Sequence, residues 1–313
     1  MHWATLRETT SHTGTRILLA LYRFGGLRLF RICTWPVLAW YVWRQPPARQ
    51  ASRDYLQRLH TASGGTTPRP TTWQVIRHFG AFAETLLEKL VITTPTTLDA
   101  IRHTLSGEEH IQALLARGQG AVLVTAHTGN FELCRLLARA RGDIRINVLV
   151  HTEHARNFNA MLHEASPDAA LNLIHITGLD TAVAMMLTER IDRGEFVVIA
   201  GDRIPVANAK EVVSCNFLGA PARFPLGPWL MASIFQCPLL AVLGSRQGDV
   251  YHLAITPLAG EVRLPRKGRR EAGQALVADY ARLLEAECRA APLQWFNFFP
   301  FWAPSPADRD TLS

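Results

Sequence analysis

The stretch Ala121-Val-Leu-Val-Thr-Ala-His127-Thr-Gly-Asn-Phe-Glu132 joins an apolar run to a polar turn. An apolar run this short, bounded by turn residues, reads as a strand buried on both faces. Gly129 and Asn130 carry turn chemistry, and Glu132 to Arg141 reads as the helix that follows. His127 and Glu132 lie five positions apart. In one continuous helix that spacing is roughly 140° of rotation, and the two side chains diverge. They converge only where the chain turns, as it does between a strand and a helix. An imidazole held by a carboxylate at the mouth of a strand is a general-base arrangement.

Further strand-like runs fall at 145–150, 172–176, 196–200, 238–244 and 251–256. Helical patterns fall at 72–92, 107–117, 180–193 and 271–291. Alternation of this kind predicts an α/β fold, with a mixed central sheet flanked by helices. The Gly/Pro-rich loop Ser63 to Pro70 divides a segment at 1–62 from an α/β domain at 71–303, and a polar tail occupies 304–313.

The chain has 313 residues, 48% of them hydrophobic, enough for a large buried core. Its net charge of +7 is not a nucleic-acid signature, because residues 1–50 hold seven arginines against one acid, Glu8. The basic excess belongs to the most apolar part of the chain. From Thr15 to Trp43 only Arg16, Arg23, Arg28 and Arg31 interrupt the apolar sequence. On a helical wheel they share an arc of roughly 140°. The longest uncharged run, Ile32 to Trp43, is twelve residues, whereas a spanning helix needs about 20. Gly25, Gly26 and Pro36 predict two short helices in place of one rod. A basic, Trp-rich amphipathic segment fits the headgroup region of an anionic bilayer; the alternative is a domain helix packed on the core with exposed arginines. The five cysteines are dispersed, without a C-x-x-C pair, and read as reduced thiols of a protein facing the cytoplasm.

Three other stretches bear on chemistry. Ala200-Gly-Asp202-Arg203 follows a strand, and in a parallel sheet the carboxyl ends of strands gather on one edge, where ligands bind. Asp202 and Arg203 are therefore expected near His127, unless they form a surface ion pair. The stretch Asn216 to Gly227, containing Phe217, Gly219 and Arg223, reads as an apolar loop suited to wall an acyl chain. Seven of the eleven residues from Pro292 to Trp302 are Leu, Trp or Phe, so this tail either buries itself or faces lipid. The chain lacks G-x-S-x-G and a phosphate-binding G-x-x-x-x-G-K-[ST], and His151-Thr-Glu-His154 is a poor metal pair without H-E-x-x-H. No metal or cofactor is expected. The basic loop containing Arg263, Arg266, Lys267, Arg269 and Arg270 is solvated, or available to an acidic carrier protein or a phospholipid surface.

Together these residues resemble the lysophospholipid-acyltransferase-like superfamily, and within it the late acyltransferases of lipid A biosynthesis in Gram-negative bacteria. The H-x-x-x-x-[DE] box of that family matches His127 and Glu132, extended through Asn130 and Phe131. Asp202, Phe217-Leu-Gly219, and Pro292 with Gln294-Trp295 match its later segments. The resemblance implies a glycerol-3-phosphate-acyltransferase-like fold and transfer of an acyl group from a thioester, on acyl carrier protein or coenzyme A, to a hydroxyl of a lipid or glycolipid. It implies His127 as base with Glu132 fixing its tautomer, no covalent acyl-enzyme, and peripheral association with the cytoplasmic face of the inner membrane. Asn130, Phe131, His151, Asp202, Arg203, Phe217, Gly219 and Arg223 become the expected substrate-binding residues. The chain departs from the family pattern at His151-Thr152, where an arginine is usual, and at Asp202-Arg203, where Asp-Gln or Asp-His is usual. Its tail looks more like a subgroup linked to aryl-polyene and other lipid gene clusters. Competing readings are a thioesterase-like hydrolase and a non-catalytic lipid- or carrier-binding protein on the same fold.

Overall fold

A computed structural model describes residues 12–91, 101–130, 133, 144–151, 172–176, 181–204, 211–265 and 267–302. Helices α1 (His12–Arg44), α2 (Pro46–Ala62) and α3 (Thr72–Val91) come first. Then follow β1 (His103–Ser106), α4 (Glu108–Leu115), β2 (Ala121–Thr125), β3 (Ile146–His151) and β4 (Asn172–Ile176). Next are α5 (Thr181–Asp192), β5 (Phe196–Ala200), β6 (Val212–Phe217) and β7 (Ala220–Pro225). The chain closes with α6 (Gly227–Phe235), β8 (Leu239–Gln247), β9 (Val250–Ala259) and α7 (Arg269–Ala290).

Among the described residues the main sheet has seven strands in the order β1-β9-β8-β2-β5-β3-β4. The pairs β8/β2, β2/β5, β5/β3 and β3/β4 are parallel, and β9 runs antiparallel to β8. The sheet is thus mixed, as the sequence predicts. The central strands β2 and β5 are buried over their first four residues, which is why they are continuously apolar and not alternating. Their side chains nonetheless separate by face. Val122, Val124, Val197 and Ile199 join the larger core with α2, α3, α6 and α7. Ala121, Leu123, Phe196 and Val198 pack with Ile111 and Leu114 of α4 on the other face.

Two elements differ from the sequence reading. The edge strand β1 was not expected, because four mostly exposed residues carry no hydrophobic pattern. The expected loop at 216–227 is instead largely the antiparallel hairpin β6/β7, whose Phe217 and Phe224 are fully buried. Its tight turn places Leu218 and Gly219 at positive φ, and the Leu218 N–H is held by Glu285 at 2.8 Å.

The N-terminal region is part of the packed body. As expected, α1 breaks at Gly26, where φ is 64°. Pro36 lies within the helix, so the break belongs to glycine alone. Phe30, Thr34 and Val42 of α1 are buried, and Tyr55, Leu56 and Leu59 of α2 sit in the main core. Glu84 of α3 accepts Arg31 Nε and Nη2 from α1 at 2.7 and 2.9 Å, and Arg246 Nη2 from β8 at 2.6 Å. Arg246 also reaches Glu88 at 2.8 Å. Burial alone would raise the Glu84 carboxyl, but the two arginines outweigh it and hold it below its ordinary value. Arg31, one of the four arginines on the expected basic arc, is therefore an intramolecular ion-pair partner. Among the described residues no helix is long and apolar enough to cross a membrane. The described cysteines Cys33, Cys215, Cys237 and Cys288 are free thiols.

Gly129, in the turn after β2, has φ of +49°, and a Cβ there would lie 2.5 Å from the Gly244 carbonyl oxygen of β8. Neither the conformation nor the backbone collision can be relieved by a side-chain rotation. Gly129→Ala is expected to lower unfolding free energy by about 2 kcal/mol or more, read from the midpoint of urea denaturation at constant slope.

Candidate active site

The register of β2 on β5 places Thr125 opposite Ala200. The next residues of each strand leave the sheet together, so Ala126-His127 and Gly201-Asp202 emerge side by side although 75 positions separate His127 from Asp202. The Asp202 carboxylate takes His127 Nδ1 on Oδ1 at 2.7 Å, and the His127 backbone N–H on Oδ2 at 2.9 Å. The indole Nε1–H of Trp295 donates to the same Oδ2 at 2.9 Å. Asp202 keeps 2% of its side chain exposed and His127 keeps 34%.

These bonds decide the protonation states. Burial alone would raise the Asp202 carboxyl; the charge and hydrogen bond of His127, with Arg203 adding to them, hold it at about 2. An ionised carboxylate only accepts, so the His127 proton sits on Nδ1. Burial and the positive charges of Arg203 and Lys89 push the His127 pKa below its ordinary 6.5, against the opposing pull of Asp202. The imidazole is therefore neutral at pH 7. Among the described residues no protein group bonds its Nε2 lone pair. A neutral, oriented imidazole with Nε2 available is chemically a general base.

The C-terminal segment builds the second wall. Thr128 and Trp295 form an antiparallel bridge, Gly129 N–H donates to the Gln294 carbonyl at 2.9 Å, and Phe296 N–H donates to the His127 carbonyl at 2.8 Å. The aromatic tail is thus buried: Trp295 is 0% exposed and packs against Tyr55, Phe217 and Phe301. On α7, Tyr280 donates its hydroxyl to the Thr125 carbonyl at 2.8 Å. Arg203 donates to the Phe296 carbonyl at 3.2 Å, with its guanidinium over the Phe299 ring.

Of the residues expected from sequence, His127, Asp202 and Arg203 come together here. Asn130 is buried in the turn, its carbonyl accepting the Leu133 N–H at 3.2 Å. Phe131 and Glu132 lie outside the described residues. The tautomer-fixing contact expected from Glu132 is made at Nδ1 by Asp202. His151 ends β3, on the same sheet edge. Phe217 is buried behind Trp295, while Gly219 and Arg223 belong to the hairpin turn and to β7. Sequence reasoning missed Trp295 as a partner of Asp202. The available signal was a Gln-Trp pair within a buried tail, since a buried indole N–H seeks an acceptor.

The family described as bacterial lipid A biosynthesis acyltransferase matches residues 74–303. A phosphatidylinositol mannoside acyltransferase of Mycobacterium tuberculosis strain H37Rv is 21% identical over 254 residues, covering 80% of this chain and 76% of that protein. The enzyme of the same name from strain CDC 1551 matches over the same shares. The matched region runs from α3 to the aromatic tail and contains His127, Asp202 and Trp295. With a family match spanning most of its length, the chain belongs to the bacterial lipid A biosynthesis acyltransferases and is an acyltransferase.

Proposed function

We propose that the protein moves a fatty acyl group from an acyl thioester, on acyl carrier protein or coenzyme A, to a hydroxyl of a lipid or glycolipid. The observation that carries this reading is the His127–Asp202 pair, with Nδ1 committed to a buried carboxylate and Nε2 available. The family membership supports acyl transfer. A relative named for acylating a phosphatidylinositol mannoside supports a glycolipid acceptor.

In this mechanism His127 Nε2 takes the acceptor hydroxyl proton as the oxygen attacks the thioester carbonyl carbon. Asp202 stabilises the imidazolium that forms. Collapse of the tetrahedral adduct breaks the C–S bond, and the imidazolium returns its proton to the departing thiolate, leaving an ester and a thiol. The backbone N–H groups of His127 and Gly129 are already committed. The positive charges of Arg203 and Lys89, both of which act on His127, supply a field for the carbonyl oxygen's negative charge.

The reading extends to peripheral association with the cytoplasmic face of the inner membrane. Ile32, Val37, Trp40 and Trp43 of α1 and Trp73 of α3 are all more than half exposed. Trp35 stacks on Trp73 at 4.7 Å, making the two helices one surface. Exposed Arg23, Arg28 and Arg44 flank it, matching an anionic bilayer.

His127→Ala is expected to lose on the order of 10²–10⁴ in turnover with folding retained; near-parental transfer of a radiolabelled acyl chain refutes the base. For the parent, kcat/KM should fall as pH drops, with a midpoint below 6.5, because the neutral form is the active one. Asp202→Asn removes the group that raises the His127 pKa, so its midpoint should move lower still while the maximum rate falls by on the order of 10²–10⁴. Free fatty acid produced at the same rate with or without lipid acceptor would favour a hydrolase. Deleting residues 1–45 would strip Phe30, Thr34 and Val42 from the core. The membrane test is therefore Trp40→Ser with Trp43→Ser: co-sedimentation with phosphatidylglycerol vesicles should drop several-fold, and unchanged binding removes the surface assignment.

A further inference from the structure

Beyond the dyad, an unbroken series of buried hydrogen bonds leads away from the reacting imidazole. Trp295 Nε1–H donates to Asp202 Oδ2 at 2.9 Å. The Trp295 carbonyl lies 2.8 Å from His78 Nε2 on α3. His78 Nδ1 lies 2.9 Å from Ser52 Oγ on α2. A carbonyl can only accept, so His78 carries its proton on Nε2, and Nδ1 accepts from the serine hydroxyl. Ser52, His78 and Trp295 are each 0% exposed. Burial holds His78 at about 4, against the opposing effect of its bond to Trp295, so it remains neutral and keeps this single donor direction.

Trp295 of this series also sits at the centre of the segment that clamps the catalytic turn, opposite Thr128. Gln294 and Phe296 bond the backbone of Gly129 and His127 on either side of Trp295. The indole thereby fixes the carboxylate, while the backbone of its two neighbours fixes the turn that carries the imidazole, and the Trp295 carbonyl takes His78 at 2.8 Å and the Asn297 N–H at 2.9 Å. Plain core packing accounts for the ring contacts of Trp295 with Tyr55, Phe217 and Phe301. It does not account for the indole N–H ending on the site carboxylate.

We propose that Trp295 and His78 are positioning residues for the general base: Trp295 sets the orientation of Asp202, and His78 sets Trp295. The proposal rests on His127 being the base. It makes the α2–α3 helical pair a support of the site.

The charged groups facing this region constrain the expected sign. His127 faces Asp202 and Arg203 after β5 and Lys89 on α3. Asp202 also faces Tyr280 and Cys288 on α7. Burial pushes both of those upward, so they stay neutral. Removing the indole N–H leaves Asp202 with fewer donors and more charge to offer the imidazolium. The His127 pKa then rises, opposite to the effect of Asp202→Asn.

The experiment compares the full-length parent, Trp295→Phe, His78→Leu and His78→Gln, using nuclear magnetic resonance titration of the imidazoles and kinetics of acyl transfer. The His127 resonance is the one absent from His127→Ala. In Trp295→Phe it should titrate roughly half a pH unit higher than in the parent, with kcat down on the order of tenfold and KM little changed. His78→Leu should lower kcat similarly, and His78→Gln, which retains a donor for the Trp295 carbonyl, should recover most of that loss. An unmoved His127 titration in folded Trp295→Phe overturns the proposal. So does equal behaviour of His78→Leu and His78→Gln, which marks mere packing, and that pair decides the matter if Trp295→Phe does not fold. Full activity in His127→Ala instead overturns the base itself, a separate outcome.

Discussion

A carboxylate with 2% of its side chain exposed survives in ionised form only if donors replace the water it has lost. Among the described residues Asp202 has three N–H donors: the ring and the backbone of His127, and the indole of Trp295. Charge-assisted bonds of this kind are among the stronger ones available to a protein interior. Each also fixes something: the ring bond sets the tautomer, the backbone bond sets the turn, and the indole bond ties both to the C-terminal tail.

That constraint propagates because its parts come from distant elements. The two central strands end level with each other and deliver the imidazole and the carboxylate to one edge. The 294–296 segment closes over the turn as a short antiparallel bridge. Helices α2 and α3 hold that segment through Tyr55, whose hydroxyl donates to the Pro292 carbonyl at 3.0 Å, and through His78. Glu84 then links α3 to α1 and to β8 through two arginines. The outer face of α1 remains apolar and exposed, while its inner face belongs to the core. One helix thus serves the fold on one side and presents a surface on the other.

Much of this was legible in the chain. The apolar runs at 121–125 and 196–200 read as buried strands because strands covered on both faces need no polar alternation. The glycine break in α1 and the turn chemistry at Gly129 were local properties and were read correctly. The hairpin at 212–225 was not legible, since its prolines and glycines resemble a loop until cross-strand pairing is known. Four polar residues of β1 become a strand only because β9 lies beside them.

The sequence by itself settled where the two central strands end and where the chain turns after β2, for those depend on local composition and backbone geometry. It nominated Glu132 as the carboxylate fixing His127, on proximity along the chain. The tertiary structure gave that contact to Asp202, because strand pairing brings together groups 75 positions apart. It likewise turned a tryptophan in an apolar tail into a hydrogen-bond partner of the site, and an arginine of the basic arc into an ion pair. Which polar groups meet is a property of the packed sheet and helices, and no periodicity along the chain encodes it.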